Sequence, residues 1–348
     1  MSDRSDGRIT LASVAREAGV AVSTVSLVLN GKAAVVGIST ETVRSVQAIA
    51  GRLGYRPNRN ARSLRLKRSG LLGVVLAGIA YEAPGQIFEG IRKVLERSGT
   101  EMEPLLTSHE YDSAREQKEL SFLAQNRVEA IIATPFGPYE PNYGPIVAEG
   151  IPVVFVAHGM VDAPRDTAGV YLDSEAMSRD AVRYLAAGGA RRIAYLAWDF
   201  GTLMSQEKLR GVQSAGPFIA PQASVSGIHL QAPETSFDAA LDALFADPAT
   251  APDALLCNPY DAAIAAMDYL DRRKIAVPSG CAVMSLNDNP AFRMQRISVT
   301  AMTQDFRAIG ERAAQIALAQ IAAKGLPPMK EVLPAFAIVP RGSTNAVG

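Results

Sequence analysis

The first 55 residues contain three short helical patterns, in which apolar residues recur every three or four positions. Thr10 stands where the first helix needs an N-cap, and Ser39 or Thr40 stands where the third helix needs one. Gly19 and Gly54 stand where two of the helices should end. The predicted helices cover residues 11–18, 22–29 and about 40–53. Two short helices joined by a glycine turn are typical of a helix-turn-helix.

From residue 71 onward, short apolar runs alternate with helical stretches. The apolar runs, which predict buried strands, are 71–77, 128–133, 152–157, 193–197, 254–256 and 281–286. The helical stretches between them include 86–98, 112–125, 174–187, 237–246 and 260–273. This alternation predicts parallel, doubly wound sheets, and a break near 171–173 divides them into two similar halves. We expect a helix at about 304–323 and an apolar run at 332–339 to return and complete both halves.

The predicted fold class is a small all-α helix-turn-helix head plus an α/β two-lobed body of two doubly wound parallel sheets, similar to periplasmic binding proteins. The head should cover residues 1–57, and a hinge helix or linker should cover 58–69. We assign 70–171 with about 300–328 to the N-terminal lobe of the body, and 172–299 with about 329–345 to its C-terminal lobe.

The charge distribution separates the head from the body. The whole chain carries 35 Lys and Arg and 35 Asp and Glu, so its formal net charge is zero. Residues 1–69, however, carry 12 basic against 4 acidic side chains, a net charge of +8, which leaves −8 on the other 279 residues. A basic head on an acidic body predicts a polyanionic partner for the head alone.

Several classes of protein are disfavoured by the sequence. The two cysteines, Cys257 and Cys281, cannot form a disulfide framework or a four-cysteine zinc site. The longest apolar stretch has 11 residues, too few to span a bilayer, and the N-terminus lacks a secretory signal, so we expect a cytoplasmic protein with no membrane partner. No phosphate-loop, GxSxG or HExxH motif is present, and the three histidines lack metal-ligand spacing. We therefore expect no enzyme, no cofactor and no metal site.

Three motifs in the first 65 residues resemble the DNA-binding domain of the LacI/GalR (lactose-repressor) family. They are ITLASVAREAGVAVSTVSLVLNGK at 9–32, LGYRPN at 53–58 and ARSLR at 61–65. Later segments also look like family landmarks, namely GLLGVV at 70–75, GARRIAYL at 189–196 and VPSGCAVMSLNDNP at 277–290. The resemblance thus covers nearly the whole chain and implies double-stranded, pseudo-palindromic operator DNA as partner, a homodimer, and a small-molecule effector.

The resemblance also implies roles for individual side chains. Base contacts are expected from Val22, Ser23 and Leu27 of the recognition helix, and from Leu64 and Arg65 of the hinge. Leu64 would wedge into the minor groove at the operator centre, although it could instead pack the linker onto the body. Phosphate contacts are expected from Thr24, Ser26, Asn30, Tyr55, Asn58 and Arg59.

The head departs from the family pattern in ways that bear on the operator sequence. Leu27 stands where many members have Arg, which favours contact with a thymine methyl over a bidentate guanine contact. Ala21 stands where Ser usually caps the recognition helix. From periodicity alone, a three-helix cap with a solvated basic face would account for the same pattern.

The strand ends of the body carry candidate ligand-binding residues, because ligands of doubly wound sheets bind at the carboxyl ends of the strands. These residues are Tyr81, Phe136, His158, Trp198, Asn258, Asn287 and Asp288. Aromatic rings beside Asn, Asp and His suit a polyhydroxylated, sugar-like effector. Three of these side chains could instead serve the fold alone, since Trp198 could pack a core, His158 could be a satisfied loop histidine, and Asp288 could cap a helix.

The resemblance adds Lys208 to this cleft, at the position of an effector-contacting Arg in many family members. Asn287-Asp288 stands where the family has Asp-Asp, and Ala157-His158 stands where Asp-Arg is common. The family pattern therefore does not by itself imply a simple hexose as effector.

These observations together predict a sequence-specific DNA-binding transcriptional regulator. The predicted role is that of a repressor of a carbohydrate catabolic operon, controlled by a sugar-like effector bound between the two lobes. The alternative is a solute-binding or sensor protein of the same body fold that does not bind DNA. That alternative would lack the basic head and would need an export signal.

Overall fold

The computed structural model comprises two compact units, Met1–Ser69 and Gly70–Gly348. It describes residues 9–29, 31, 33–55, 68–79, 81–160, 162–163, 167–199, 201–215, 237–323, 326–333 and 336–344, and the backbone of 224–230. Each unit has hydrophobic clusters of its own.

The described residues of the first unit form three helices, α1 (Leu11–Ala18), α2 (Val22–Leu29) and α3 (Thr40–Leu53), with a 3₁₀ turn at Ala34–Val36. All three predicted helices are confirmed within a residue. Their apolar faces meet in a small core. Its fully buried members are Val14, Ala15, Val25, Val28, Ala33, Val46 and Ala50.

Local capping explains why the boundaries of these helices could be predicted. The Thr10 hydroxyl accepts a hydrogen bond from Ser13 N, and the Ser13 side chain accepts one from Thr10 N, which completes a capping box. Ser39, rather than Thr40, caps α3. Gly54 ends α3 with φ 68°, a left-handed conformation that glycine adopts without steric cost.

The second unit contains two six-stranded sheets, confirming the predicted two-lobed α/β body. The strands are β1 (Leu71–Leu76), β2 (Glu103–Ser108), β3 (Ala130–Ala133), β4 (Val153–Ala157), β5 (Ala168–Leu172), β6 (Arg192–Trp198), β7 (Ser224–Leu230), β8 (Ala254–Asn258), β9 (Ala282–Ser285), β10 (Thr300–Gln304), β11 (Lys330–Leu333) and β12 (Phe336–Val339). The helices are α4 (Glu82–Arg97), α5 (Ser113–Gln125), α6 (Tyr139–Asn142), α7 (Gly144–Ala148), α8 (Ser174–Ala187), α9 (Leu203–Ser214), α10 (Phe237–Leu244), α11 (Tyr260–Arg272) and α12 (Phe306–Ala322).

The first sheet has the strand order β11-β5-β4-β3-β1-β2, and all of its pairs are parallel. The second has the order β12-β10-β9-β8-β6-β7, in which only the β10–β12 pair is antiparallel. We call the first sheet with α4–α7 and α12 the first lobe, and the second sheet with α8–α11 the second lobe.

Helices cover both faces of each sheet, so alternate side chains of one strand enter different cores. Val74 of β1 packs in the cluster under α4 and α12, whereas its neighbour Val75 packs under α5. The same alternation holds in the second lobe, where Leu196 and Tyr195 belong to opposite clusters. The continuous apolar runs of the sequence therefore predicted strands buried on both faces.

Helices α4 and α12 approach each other closely because each has a glycine at the contact. A Cβ at Gly90 would lie 2.2 Å from Arg307 O, and a Cβ at Gly310 would lie 2.0 Å from Ile87 O. Any larger residue at either position would push the helices apart. This contact attaches α12, a late element of the chain, to the first lobe.

The sheet pairing corrects two predicted boundaries. Residues 300–304 form β10 in the second sheet, although about 300–328 had been assigned to the N-terminal lobe. Residues 330–333 form β11 in the first sheet, although about 329–345 had been assigned to the C-terminal lobe. The apolar run 332–339 is therefore not one strand, since β11 and β12 belong to different sheets. Backbone pairing, which apolar periodicity does not encode, decides this division.

Four strands were absent from the prediction, namely β2, β5, β7 and β10. β2 lies at a sheet edge and is half exposed, so it has no continuous apolar run.

In the described part of the chain, no single helix is both long and apolar enough to cross a bilayer. Helices α1 and α2 meet that criterion only when they are counted as one pair, which is bent by 106°.

Candidate functional site

A cleft of about 340 Å³ lies in the second unit, and residues of both lobes line it. Its walls are formed largely by loops that follow the carboxyl ends of β1, β2, β3, β4, β8 and β9, together with the start of α9. This is the position at which parallel α/β sheets bind ligands. The volume lies in the range of pockets for small molecules.

Seven of the eight effector-binding candidates line this cleft. They are Tyr81, Phe136, His158, Lys208, Asn258, Asn287 and Asp288. The structure thus brings together side chains that lie up to 207 positions apart along the chain.

Trp198 is the exception and requires a correction. It lies at the end of β6 but is not among the residues that line the cleft. Its ring packs against Phe237 at a centroid distance of 4.6 Å. Trp198 therefore covers the edge of the second lobe's core, the packing role that the sequence had left open for it.

Aromatic rings form the first lobe's side of the cleft. Phe136 stacks on His109 with a centroid distance of 5.5 Å and receives the edge of Tyr111 at 5.8 Å. Tyr81 joins the cluster through an edge contact with Tyr111 and meets Tyr260 of the second lobe at 6.1 Å. Such a surface can stack on the carbon face of a ligand.

Backbone conformation holds Tyr111 in this cluster. Glu110 and Tyr111 both have positive φ angles, 49° and 59°. Two consecutive non-glycine residues in this region are strained, so the surrounding contacts must hold them there. The Tyr111 N–H donates to His109 Nδ1 at 3.1 Å, which ties the strained segment to the neighbouring ring.

The hydrogen bonds of both cleft histidines indicate their tautomers. His109 Nδ1 accepts from Tyr111 N, so Nε2 carries the proton and donates to the Thr134 carbonyl at 3.0 Å. His158 Nδ1 donates to the Gly159 carbonyl, which leaves Nε2 as an acceptor. Burial lowers the pKa of both rings, that of His158 to about 4, so both are neutral at pH 7.

The Glu116 carboxylate fixes the loop that carries Phe136. It is fully buried on α5 and accepts hydrogen bonds from Phe136 N at 2.9 Å and Gly137 N at 2.7 Å. Asn142 Nδ2 and the Tyr143 hydroxyl also donate to it. Four donors to one carboxylate hold this turn in place. Glu116 was not predicted, because nothing in the local sequence distinguishes it from Glu119, the other acid of α5, which is only partly buried.

The second lobe's side of the cleft is polar. Lys208 of α9 is only 4% exposed, and its Nζ donates to Asn258 Oδ1 at 2.9 Å. Burial lowers the pKa of Lys208 to about 8, so the amine is still mainly protonated at pH 7. Asn287 Nδ2 donates to Gln304 at 3.3 Å, while the buried Asn287 Oδ1 has no hydrogen-bond partner.

Asp288 is neutralised by a residue that the sequence analysis did not connect with it. Both Arg341 NH groups donate to its two carboxylate oxygens, at 2.7 and 2.6 Å. Arg341 is 8% exposed in its side chain, so this is a buried, bidentate pair. Asp288 is therefore not a helix cap, because the cap of the following 3₁₀ turn is Asn289.

Several cleft residues were missed by the sequence analysis. They include His109, Tyr111, Thr134, Thr202, Ser205, Tyr260 and Gln304. His109 and Tyr111 follow β2, and Gln304 ends β10. These three residues were missed because neither strand was predicted. Thr134 was passed over although it immediately follows a predicted strand. No group of three His, Cys, Asp or Glu side chains within the described ranges could hold a metal ion.

In the first unit, α2 presents one buried and one accessible face. Val25 and Val28 are buried, whereas Val22 and Ser23 are exposed and Leu27 is partly exposed. At 100° per residue, Ser23 and Leu27 lie on the side opposite to the buried pair, whereas Val22 lies beside Val25 and is exposed at the start of the helix. Thr24 and Ser26 are also partly accessible, and Tyr55 packs against the core of this unit.

Helix α2 begins without a side-chain cap, as the presence of Ala21 before it predicted. The Ala21 carbonyl accepts the first helical hydrogen bond, from Val25 N at 3.1 Å, but its methyl group cannot accept a second one. The remaining predicted DNA contacts lie outside the described residues. They are Asn30, Asn58, Arg59, Leu64 and Arg65.

Two family models match the chain. Residues 10–58 match the model of bacterial regulatory proteins of the lacI family, and residues 182–344 match the periplasmic binding protein-like domain. The HTH-type transcriptional regulator GntR of Pseudomonas aeruginosa is 30% identical over 328 residues, covering 92% of each chain. The chain belongs to the LacI family. It is thus a DNA-binding transcriptional regulator, as the sequence predicted.

Solved structures of the lac repressor and of another transcriptional regulator have the same fold. A crystal structure of the lac repressor dimer bound to operator and the anti-inducer ONPF aligns with a TM-score of 0.82 and 23% identity, over 97% of this chain and all of that one. A complex of the transcriptional regulator CelR with cellobiose aligns with a TM-score of 0.69, again at 23% identity and over 97% and 100% of the two chains.

Proposed function

We propose that this LacI-family protein binds a pseudo-palindromic operator through α2 and that a small polyhydroxylated effector in the cleft controls the binding. The cleft carries the argument for the effector. It combines aromatic faces with buried polar atoms that lack partners, among them Thr134 Oγ1 and Asn287 Oδ1. Unpaired buried polar atoms cost free energy, which a ligand that bonds to them would recover.

On the DNA side, the accessible face of α2 makes the base contacts. Val22 and Leu27 offer methyl groups to thymine, and Ser23 offers a hydroxyl to a base edge. Thr24, Ser26 and Tyr55 contact phosphates, which fixes the helix in the groove without reading sequence. We propose the same roles for the residues outside the described ranges: Leu64 and Arg65 at bases, and Asn30, Asn58 and Arg59 at phosphates.

The effector is sugar-like because rings and amides face each other across the cleft. Phe136 and Tyr111 would stack on carbon faces, while Asn258 and Asn287 would bond to hydroxyl groups. The cellobiose complex of CelR shows that this fold can hold a sugar in a related protein. A repressor of a carbohydrate catabolic operon, acting in the cytoplasm without catalysis, fits both features.

Two copies of the chain act together in this proposal. A single α2 reads one half-site, and two-fold symmetry supplies the second half-site of the operator. The lac repressor with which this chain aligns is a dimer on its operator. We therefore propose a homodimer whose lobe geometry changes when the effector binds.

DNA binding can be tested with the full-length protein and an operator selected from random duplexes. Val22→Ala should weaken operator binding about tenfold, roughly 1.4 kcal/mol, because it removes an exposed contact surface from α2. Val35→Ala is the matched control, since Val35 is 89% exposed in the same unit but lies outside α2. Fluorescence anisotropy measures both affinities.

Salt dependence provides the second readout of the same experiment. Wild-type affinity should fall steeply with salt, with a log–log slope of about −0.9 for each neutralised phosphate. A salt-independent affinity, or equal losses in the two valine variants, would contradict the proposed DNA interface. A thermal-shift screen of sugars and polyols then tests the effector, because a ligand stabilises the folded state by RT ln(1 + [L]/Kd).

A further inference from the structure

Lys208 is a buried cation for which the described residues offer little compensation. Its ammonium group has three N–H donors, and the structure gives Nζ one hydrogen bond, to the neutral amide oxygen of Asn258. Across the described chain, no carboxylate lies within 4 Å of Nζ. A buried charge held by a single neutral partner is unfavourable unless another group completes the site.

The acidic side chains around the cleft do not supply the missing charge. Asp288 is already paired with Arg341 through two hydrogen bonds. Glu82 lies at the start of α4 in the first lobe, and the carboxylate that raises the pKa of Lys208 is that of Glu207, the preceding residue. Burial outweighs that effect and lowers the pKa of Lys208 overall.

The groups around Lys208 suit a carboxylate with neighbouring hydroxyl groups. His158 is neutral, so it adds no charge to the site, and its Nε2 can accept a hydroxyl hydrogen. Ser205 and Thr202 line the same cleft, and Thr134 Oγ1 lacks a partner there. In the first turn and a half of α9, Ser205 N and Gln206 N already bond to Thr202, so these two N–H groups are not open to a phosphate.

We propose that the effector carries a carboxylate, which pairs with the Lys208 ammonium beside Asn258, and that the cleft therefore selects a polyhydroxylated acid over its neutral analogue. This inference deepens the proposed function and rests on it. A single lysine and an amide match one monoanionic carboxylate, whereas phosphate sites in proteins are typically built from arginine forks or several free backbone N–H groups.

Matched pairs of probes test this selectivity on the full-length protein by titration calorimetry. The pairs are gluconate with glucitol, galacturonate with galactose, and glucose 6-phosphate with glucose. A carboxylate member should bind at least tenfold more tightly than its neutral partner and than the sugar phosphate. Lys208→Met should reduce carboxylate affinity at least tenfold and should lower the ratio of carboxylate to neutral affinity by a similar factor.

The exposed Lys118 on α5 supplies a matched control, because Lys118→Met removes the same charge from the surface of the first lobe. Circular dichroism shows whether each variant is folded. Proton uptake on ligand binding, measured with the wild-type protein, tests the same inference if Lys208→Met misfolds. A carboxylate that pairs with Lys208 raises the pKa of the amine, so binding at pH 8.5 should take up protons, detected as a dependence of the heat on the buffer's ionisation enthalpy.

The possible outcomes separate this inference from the proposed function. If neutral members bind as tightly as the acids, or if Lys208→Met leaves acid binding unchanged, the carboxylate inference is overturned and the effector function stands. Preference for glucose 6-phosphate would overturn it in favour of a phosphorylated ligand. If no probe binds or alters operator affinity, the sugar-like effector of the proposed function is overturned together with the inference.

Discussion

The two walls of the cleft differ in how their polar groups are satisfied. On the first lobe, rings face the cleft, both nitrogens of His109 are bonded, and Glu116 receives four hydrogen bonds behind Phe136. On the second lobe, Lys208 has one neutral partner and Asn287 Oδ1 has none. The open polar atom of the first wall, Thr134 Oγ1, is neutral, whereas the second wall also holds a buried ammonium group with one neutral partner.

This difference separates shape from chemical selection. A preorganised aromatic surface binds any ligand of suitable shape, since stacking depends little on charge. An ammonium without an anionic partner and an unpaired amide oxygen discriminate between ligands, because a ligand that fails to bond to them leaves the desolvation cost in place. The comparison predicts that substitutions in the first wall will change stability or overall ligand affinity, whereas substitutions at Lys208 will change the selection between acidic and neutral ligands.

Removing Glu116 should destabilise the first lobe most. Glu116→Ala leaves four donors without this acceptor, three of them in buried hydrogen bonds, so we expect a loss of about 3 kcal/mol or more in the free energy of unfolding. The control is Glu119→Ala on the same helix, for which the structure shows no such set of donors. Denaturation with urea measures the difference, and equal midpoints for the two variants would show that the first wall is not held by this carboxylate.

Replacing Lys208 should increase the free energy of unfolding of the unliganded protein, which is the opposite of the effect expected at Glu116. Lys208→Met removes a buried charge, so the variant should be more stable than wild type by about 1–3 kcal/mol at pH 7. Folding lowers the pKa of Lys208 to about 8. Between pH 8 and the ordinary pKa of lysine, the unfolded chain therefore holds one more proton than the folded chain. The destabilisation by Lys208 is therefore complete below about pH 8 and disappears as pH rises above it.

The stability of Lys208→Met relative to wild type should accordingly shrink between pH 8 and pH 10. Thermal melts across this range, with Lys118→Met as control, measure the trend. A variant that is less stable than wild type at pH 7 would mean that the second wall is satisfied without a ligand, and the contrast between the walls would then be lost.

The aromatic wall should affect affinity without affecting charge selection. Phe136→Leu removes the stacking surface against His109, so acids and neutral polyols should both bind about tenfold more weakly, a change of roughly 1.4 kcal/mol. Phe122→Leu is the control, because Phe122 is exposed on α5 away from the cleft. A change in the ratio of acid to neutral affinity would show that the first wall also contributes to charge selection, which contradicts the proposed division between the walls.

The smallest effect is expected at Trp198. Because its ring packs on Phe237 and does not line the cleft, Trp198→Phe should change ligand affinity less than about twofold. Titration calorimetry with whichever ligand binds wild type gives the comparison. A tenfold loss would place Trp198 in the ligand site after all and extend the aromatic surface to the second lobe.

The sequence predicted best where structure is local. Helices α1, α2 and α8 were predicted at their observed bounds, because each combines an apolar face with capping or turn residues next to it. The cleft was largely predictable for a related reason, since residues that follow buried strands must lie at one edge of a parallel sheet. Resemblance to the LacI family supplied Lys208, which no local rule marks as a cleft residue.

The tertiary structure decided everything that depends on distant partners. The apolar run at 332–339 divides between two sheets because β11 pairs with β5 and β12 pairs with β10. Asp288 and Arg341 neutralise each other across 53 positions of the chain, and Lys208 meets Asn258 across 50 positions. Periodicity and capping are set within a few residues along the chain, whereas strand pairing and charge compensation depend on distances in space, so only the folded chain shows which polar groups remain open to a ligand.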